Sequence, residues 1–216
     1  MSADLSSLLP ILRLVHAAGV GPVAFRRLVR VFGSAEAALS APKERLLEVP
    51  DVSASTAEAI RAARGDDWAE QELERVRAAG AKLIALGEPA YPKLLLNTYD
   101  PPPVLYMLGE LQETDALAVA IVGTRKCSHY GRGQAERLAA GLALAGFTVV
   151  SGLARGIDSA AHAGAMAQTG GRTLAVLGTG LDNIYPPENK PLFESIIAGG
   201  GAVLTELPFH TPPARE

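Results

Sequence analysis

The sequence predicts an α/β protein in which an all-α module precedes a parallel sheet, and three observations carry that prediction. Residues 5–65 repeat apolar side chains at helical spacing without strand alternation. From Leu117 onward four apolar runs, LAVAIVG, FTVVSG, TLAVLGTG and AVLTELP, alternate with helix-length segments, the rhythm of parallel strands joined by helical crossovers. Two of those runs stop at glycine beside basic residues, in AIVGTRKCSHYG and FTVVSGLARGID. A strand that hands over through glycine to a helix leaves unpaired N–H groups and a positive helix end at one spot, which suits an anion such as phosphate.

Residues 1–65 form the helical module. Its short helices are punctuated by Gly19-Val20-Gly21-Pro22, Gly33-Ser34 and Pro50-Asp51. The Gly19-Val20-Gly21 turn resembles the helix-hairpin-helix motif, in which turn amides and a nearby cation hold a DNA phosphate. A second copy, LEVPDVSAST, lacks the glycines, and a structural or protein-contact role is the competing expectation. Residues 66–116 connect the two parts through a polar helix from Asp67 to Ala79, an apolar strand from Ala81 to Leu86, and the segment YPKLLLNTYDPPPVLYMLGEL. Pro101-Pro102-Pro103 fits neither helix nor central strand, so this segment is expected as an extended arm packed on the larger domain. Residues 117–216 hold the sheet. Leu138 and Leu142 on the first crossover, and Leu192 and Ile196 on the third, recur at helical spacing. The expected sheet is parallel and doubly wound, with a ligand at its carboxyl ends, where Gly123-Thr124-Arg125, Ser151-Gly152 and Gly178-Thr179-Gly180 converge.

Composition sets limits on function. The chain has 216 residues, 48% of them hydrophobic, enough for a full core, and its formal net charge of -3 gives no whole-chain attraction to nucleic acid. Attraction must come from local patches. One lies between Ile11 and Arg45 (Arg13, Arg26, Arg27, Arg30, Lys43 and Arg45 against Glu36 and Glu44). The other lies between Ile121 and Ala160 (Arg125, Lys126, Arg132, Arg137 and Arg155 against Glu136 and Asp158). The single cysteine, Cys127, excludes an internal disulfide and fits a reducing, cytoplasmic compartment. No run approaches the ~20 apolar residues of a membrane span.

The glycine turns do not spell a dinucleotide or nucleoside triphosphate site. Neither Gly-x-Gly-x-x-Gly after the first strand nor an acidic residue ending the second is present, and no Gly-Lys-Ser/Thr occurs. Asp158 and His162, four residues apart, suit a helix first turn and a packed imidazole better than an acid–base pair, since no nucleophile accompanies them. The histidines at 16, 129, 162 and 210 are scattered, so no metal site and no cofactor is expected. What remains is a phosphate-reading crevice with Thr124 and Ser151 hydroxyls, Arg125 and Arg155 guanidiniums, and Lys190 from IYPPENKPLF. Aromatic residues are only 5% of the chain, with Tyr130 and Tyr185 nearest the crevice, so a polymeric ligand would be read through its backbone more than its bases.

AIVGTR at 120–125, SGLARGIDSAAH at 151–162 and LGTGLDNIYPPEN at 177–189, in this order and spacing, resemble the DNA-processing protein A (DprA/Smf) family. The proline-rich arm and the helical module resemble it too. The resemblance implies a Rossmann-like domain, preceded by a sterile-alpha-motif-like (SAM-like) or helix-hairpin-helix module, that binds single-stranded DNA without catalysis. It further implies protection of incoming DNA during natural transformation, assistance in loading the RecA recombinase, and a homodimer through the Rossmann-like domain. The DNA-binding residues it implies are Gly123, Thr124, Arg125, Lys126, Ser151, Gly152, Arg155, Gly156, Asn189 and Lys190. Chains of the family continue into an Arg-Asn-Arg segment and further strands, so the Rossmann-like domain is expected to be truncated after Glu216. The competing function is a Rossmann-like nucleotide-binding hydrolase of the phosphoribohydrolase type. Its Pro-Gly-Gly-x-Gly-Thr turn is absent, because the glycines of AGGGAVLTE precede their strand.

Overall fold

The computed structural model describes residues 5–214. Two compact units are present, one made of residues up to Ala79 with Leu83–Leu105, the other of Gly80–Lys82 with Tyr106 onward. The connecting region of 66–116 therefore forms no body of its own, because its helix joins the first unit and its chain from Tyr106 joins the second.

The first unit contains α1 (Leu9–His16), α2 (Pro22–Phe32), α3 (Ala35–Ser40), α4 (Lys43–Leu47), α5 (Ala54–Ala62) and α6 (Trp68–Ala78). Local signals set these boundaries. Ser34 and Ser53 accept from the backbone N–H of Ala37 and Thr56, which caps α3 and α5. Gly33, at φ +89°, closes α2 with its N–H on the Val29 carbonyl. Leu14, Phe25, Leu28, Leu39, Leu46 and Ile60 from five helices fill one core.

Six strands, β1 (Lys82–Ala85), β2 (Val104–Gly109), β3 (Ala118–Ala120), β4 (Thr148–Ser151), β5 (Thr173–Val176) and β6 (Ala202–Thr205), form a sheet in the order β1-β2-β6-β5-β4-β3. The four runs read as parallel strands are parallel, with Val149 beside both Val119 and Thr173, and Ala175 beside Val203. The crossovers hold α7 (His129–Leu144), α8 (Ile157–Met166) and α9 (Lys190–Ala198).

Two expectations are corrected. VLYMLG is no surface arm: it is β2, antiparallel to β6 with Tyr106 opposite Thr205, and Val104 to Met107 are buried. Proline forbids strand pairing only at residues 101–103, and the β-branched and aromatic residues that follow are free to join the ladder. The winding also runs one way. From β3 to β6 each strand is placed on the same side of the last, so right-handed crossovers put α7, α8 and α9 on one face. The strand-order reversal of a doubly wound sheet does not occur among these four strands.

Glycine and alanine allow the close helix packing. A Cβ on Gly164 of α8 would lie 2.3 Å from the Glu136 carbonyl oxygen of α7, so the helices approach backbone to backbone. Ala139, Ala161 and Ala165 join Ile121 and Val149 in the core beneath them. Leu142 is partly buried there, but Leu138 is exposed, since the buried stripe of α7 is carried by Ala135 and Ala139.

Candidate nucleic-acid interface

Three loops meet at the carboxyl ends of β3 and β4, and glycine packing fixes how they meet. Gly156, at φ +81°, sits against the turn after β3, where an added Cβ would be 2.3 Å from the Thr124 carbonyl oxygen and 2.8 Å from that of Arg125. The Ile157 N–H donates to the same Thr124 carbonyl at 3.3 Å. A Cβ on Gly123 would lie 2.7 Å from Ile157 Cγ1. The third loop, 185–190, is tied in by Asn189, whose Nδ2 donates to the Leu153 carbonyl at 2.7 Å and to Ser159 Oγ at 2.9 Å.

The strand-end amides are already occupied. Asp158, 6% exposed in the first turn of α8, accepts from Gly152 N–H at 3.0 Å and Gly123 N–H at 3.3 Å, one oxygen to each strand end. Its carboxylate takes the place that the glycine turns would offer a phosphate, as a first-turn carboxylate should. Ser151 is likewise withdrawn: it is 2% exposed and donates to the Ile121 carbonyl at 2.6 Å, so its hydroxyl joins β4 to the chain after β3 and does not face the crevice. In the Gly178-Thr179-Gly180 loop Gly178 is exposed, but the two residues after it are packed inward. Thr179 is buried, Gly180 N–H donates to the Thr211 carbonyl at 2.8 Å, and a Cβ on Gly180 would be 2.1 Å from the Phe209 carbonyl oxygen.

Side-chain cations remain at the surface. Arg125, Lys126, Arg155 and Lys190 are all exposed. Thr124 holds the first turn in shape, its Oγ1 accepting from Lys126 N–H at 3.2 Å. Arg155 is oriented by a partner that sequence inspection missed. Its Nε donates to Glu188 Oε1 at 2.5 Å, and its guanidinium lies 5.7 Å from the Tyr185 ring centroid. Hydrogen bonding to Glu188 and then to Tyr185 raises the Arg155 pKa above its ordinary value, and the Arg155 hydrogen bond lowers that of Glu188. The separation of 33 positions between Arg155 and Glu188 leaves no periodic signal for the pair. A surface of four cations and one tethered carboxylate, set on rigid glycine-packed turns, can hold successive phosphates of a flexible strand.

A family model described as DNA recombination-mediator protein A matches residues 82–216, and one described as the DprA-like N-terminal HHH domain matches residues 6–74. The chain belongs to the DNA recombination-mediator protein A family. It is 41% identical over 201 residues to Protein Smf of Synechocystis sp., covering 91% of this chain and 50% of that protein. It is 43% identical over 129 residues to the DNA processing protein DprA of Streptococcus pneumoniae, covering 56% of this chain and 45% of that protein. The chain thus spans about half the length of these relatives. The X-ray structure of pneumococcal DprA superposes with a TM-score of 0.75 at 26% identity, over 100% of this chain and 71% of that one. A DNA processing protein A structure from Helicobacter pylori, described for its single-stranded DNA binding mode, superposes with a TM-score of 0.53 at 32% identity, over 62% of this chain and 60% of that one. The family expected from the glycine motifs is therefore the family found, and those motifs act here by letting three loops dock.

Proposed function

We propose that this chain binds single-stranded DNA across the loops 123–126, 152–156 and 185–190. Arg125, Lys126, Arg155 and Lys190 contact phosphates, while Gly123, Thr124, Gly152, Gly156 and Asn189 set the loop geometry. Ser151 and Asp158 stabilise the strand ends from beneath. The observation that carries this proposal is the docking of Gly156 on the Thr124-Arg125 turn, which fixes two cationic loops side by side. The Helicobacter pylori relative, described as a single-stranded DNA binder, supports the choice of ligand. Within the family's role in DNA processing, the chain protects incoming single strands during natural transformation and assists RecA loading. It does so as a non-catalytic, cytoplasmic homodimer joined through the Rossmann-like domain. Among the described residues no helix is long and apolar enough to cross a membrane.

Fluorescence anisotropy of labelled oligothymidine, against its duplex counterpart and across a salt series, tests the ligand and its site together. The expected result is preference for the single strand, with log K falling by about 0.7 per phosphate neutralised, and loss of that preference in Arg125→Ala/Lys190→Ala. Unchanged binding by the double variant would remove the site from these loops. A flat salt profile would overturn phosphate recognition itself.

A further inference from the structure

The first unit carries an ordered loop with an unburied aromatic ring. From Tyr91 to Pro103 the chain leaves and returns to one place: the Tyr91 hydroxyl donates to the Pro102 carbonyl at 2.8 Å and closes the loop at its base. Within it, residues Leu95–Asn97 form a 3-10 turn, and Thr98 Oγ1 donates back to the Leu95 carbonyl at 2.7 Å. The next residue, Tyr99, has its carbonyl held by Arg26 Nη1 of α2 at 2.7 Å, and the stiff Pro101-Pro102-Pro103 run follows. The backbone of Tyr99 is thus fixed on both sides, yet the residue is 79% exposed. Like Tyr130, which is 76% exposed, Tyr99 leaves its ring to solvent although burial of such a ring contributes substantially to a core.

The helix beside it is cationic. PVAFRRLVRVF contains three arginines and no acidic residue, and Arg26 and Arg30 lie one turn apart on its exposed face, with Cβ atoms about 5–6 Å apart. Among the described residues Arg30 has no ion-pair partner, as holds for Arg61 and Arg77, whereas several other cations of this unit are engaged. Arg27 pairs with Asp51, Lys43 with Glu58 and Arg45 with Glu48, and Arg64 donates to the Leu39 and Ala41 carbonyls. In the Gly19-Val20-Gly21 hairpin a Cβ on Gly19 would lie 2.5 Å from Thr56 Oγ1, so this turn packs closely on α5. Lys93 on the loop adds another exposed cation, and Asp100 is its exposed acidic neighbour.

We propose that Tyr99 and the Arg26–Arg30 face of α2 form a second contact for single-stranded DNA, with a base stacked on the Tyr99 ring and Arg26 and Arg30 holding the flanking phosphates. An exposed ring beside arginines that make no ion pair is the chemistry that binds single strands without base specificity, and a duplex cannot offer the face of a base to it. The proposal rests on the single-strand reading of the chain, and it places the contact off the hairpin.

The test uses the full chain and oligothymidine carrying 5-iododeoxyuridine, photocrosslinked and mapped by peptide mass spectrometry, with anisotropy on variants. A crosslink on the peptide containing Tyr99 is expected, together with about tenfold weaker binding by Tyr99→Ala, near-normal binding by Tyr99→Phe, and a salt slope reduced by about 0.7 in Arg30→Ala. Because Tyr99 and Arg30 are exposed, circular dichroism of these variants should match the parent. Crosslinks confined to 123–126, 152–156 and 185–190, with Tyr99→Ala unchanged, would overturn this contact and leave the crevice standing. Loss of binding in Tyr99→Ala with none in Arg125→Ala/Lys190→Ala would support this contact and overturn the crevice. Absence of single-strand binding by the parent chain would overturn both.

Discussion

His162 should make the fold acid-sensitive well above the carboxylate range. It is fully buried on α8, and its Nδ1 lies 2.7 Å from Thr173 Oγ1. The single Thr173 hydroxyl proton is directed to the Val149 carbonyl at 2.7 Å, so the imidazole donates from Nδ1 and the hydroxyl accepts. That assignment leaves Nε2 as a bare acceptor, buried without a partner. Protonating it would place an unpaired charge in the core, and burial accordingly pushes the His162 pKa down to about 4. With an unfolded value near 6.5, the unfolded chain binds the extra proton first. The stabilisation is therefore complete above about pH 6.5 and is lost as the pH falls toward 4, at ~1.4 kcal/mol per pH unit. Between pH 7.5 and 4.5 the loss comes to about 2.5 kcal/mol. Urea unfolding followed by circular dichroism at those two pH values measures it, with His162→Leu as the reference. The carboxylates titrate alike in both chains, so the difference of differences isolates the imidazole. Equal pH dependence in the two chains would refute the reasoning, as would a His162→Leu chain that loses more stability on acidification than the parent.

Two further outcomes follow from the crevice. Gly156→Ala combines a positive φ with an impossible Cβ position, so it should cost about 2–3 kcal/mol; it should also weaken oligothymidine binding on the order of tenfold by separating the first two loops, both read by urea unfolding and anisotropy. Glu188→Gln removes the carboxylate that holds Arg155 while keeping the side-chain shape, so oligothymidine should bind about threefold more tightly at low salt, with the gain shrinking as salt rises; unchanged affinity would mean that Arg155 makes no phosphate contact.

Much of the architecture was legible because it rests on local chemistry. Serine caps at Ser34 and Ser53 and the glycine stop at Gly33 mark helix ends within a few residues of sequence, and β-branched runs mark β3 to β6. The strand β2 was hidden by the prolines immediately before it, whose prohibition ends with Pro103. The inward direction of the Ser151 hydroxyl carries no periodic signal, since Thr148 and Val149 on opposite faces of β4 are both buried, and its bond to the Ile121 carbonyl spans 30 residues. Glu188 carried no such signal. Its meeting with Arg155 depends on Asn189 binding the Leu153 carbonyl, a contact between loops that no periodicity encodes.

The position of Asp158 changes what kind of anion site this is. Had the glycine turns kept their amides free, recognition could have been built on fixed backbone dipoles, which demand one phosphate at one place. With Gly123 and Gly152 donating to Asp158, those amides are spent on joining two strand ends, and in the proposed site phosphate contact falls to long side chains on the loops above. Arginine and lysine heads follow a flexible backbone and are screened by salt, whereas backbone amides bind one anion in one geometry. In the proposed site, tight glycine packing and cationic side chains thus divide the work: the first would fix where the strand runs, and the second would tolerate any sequence along it.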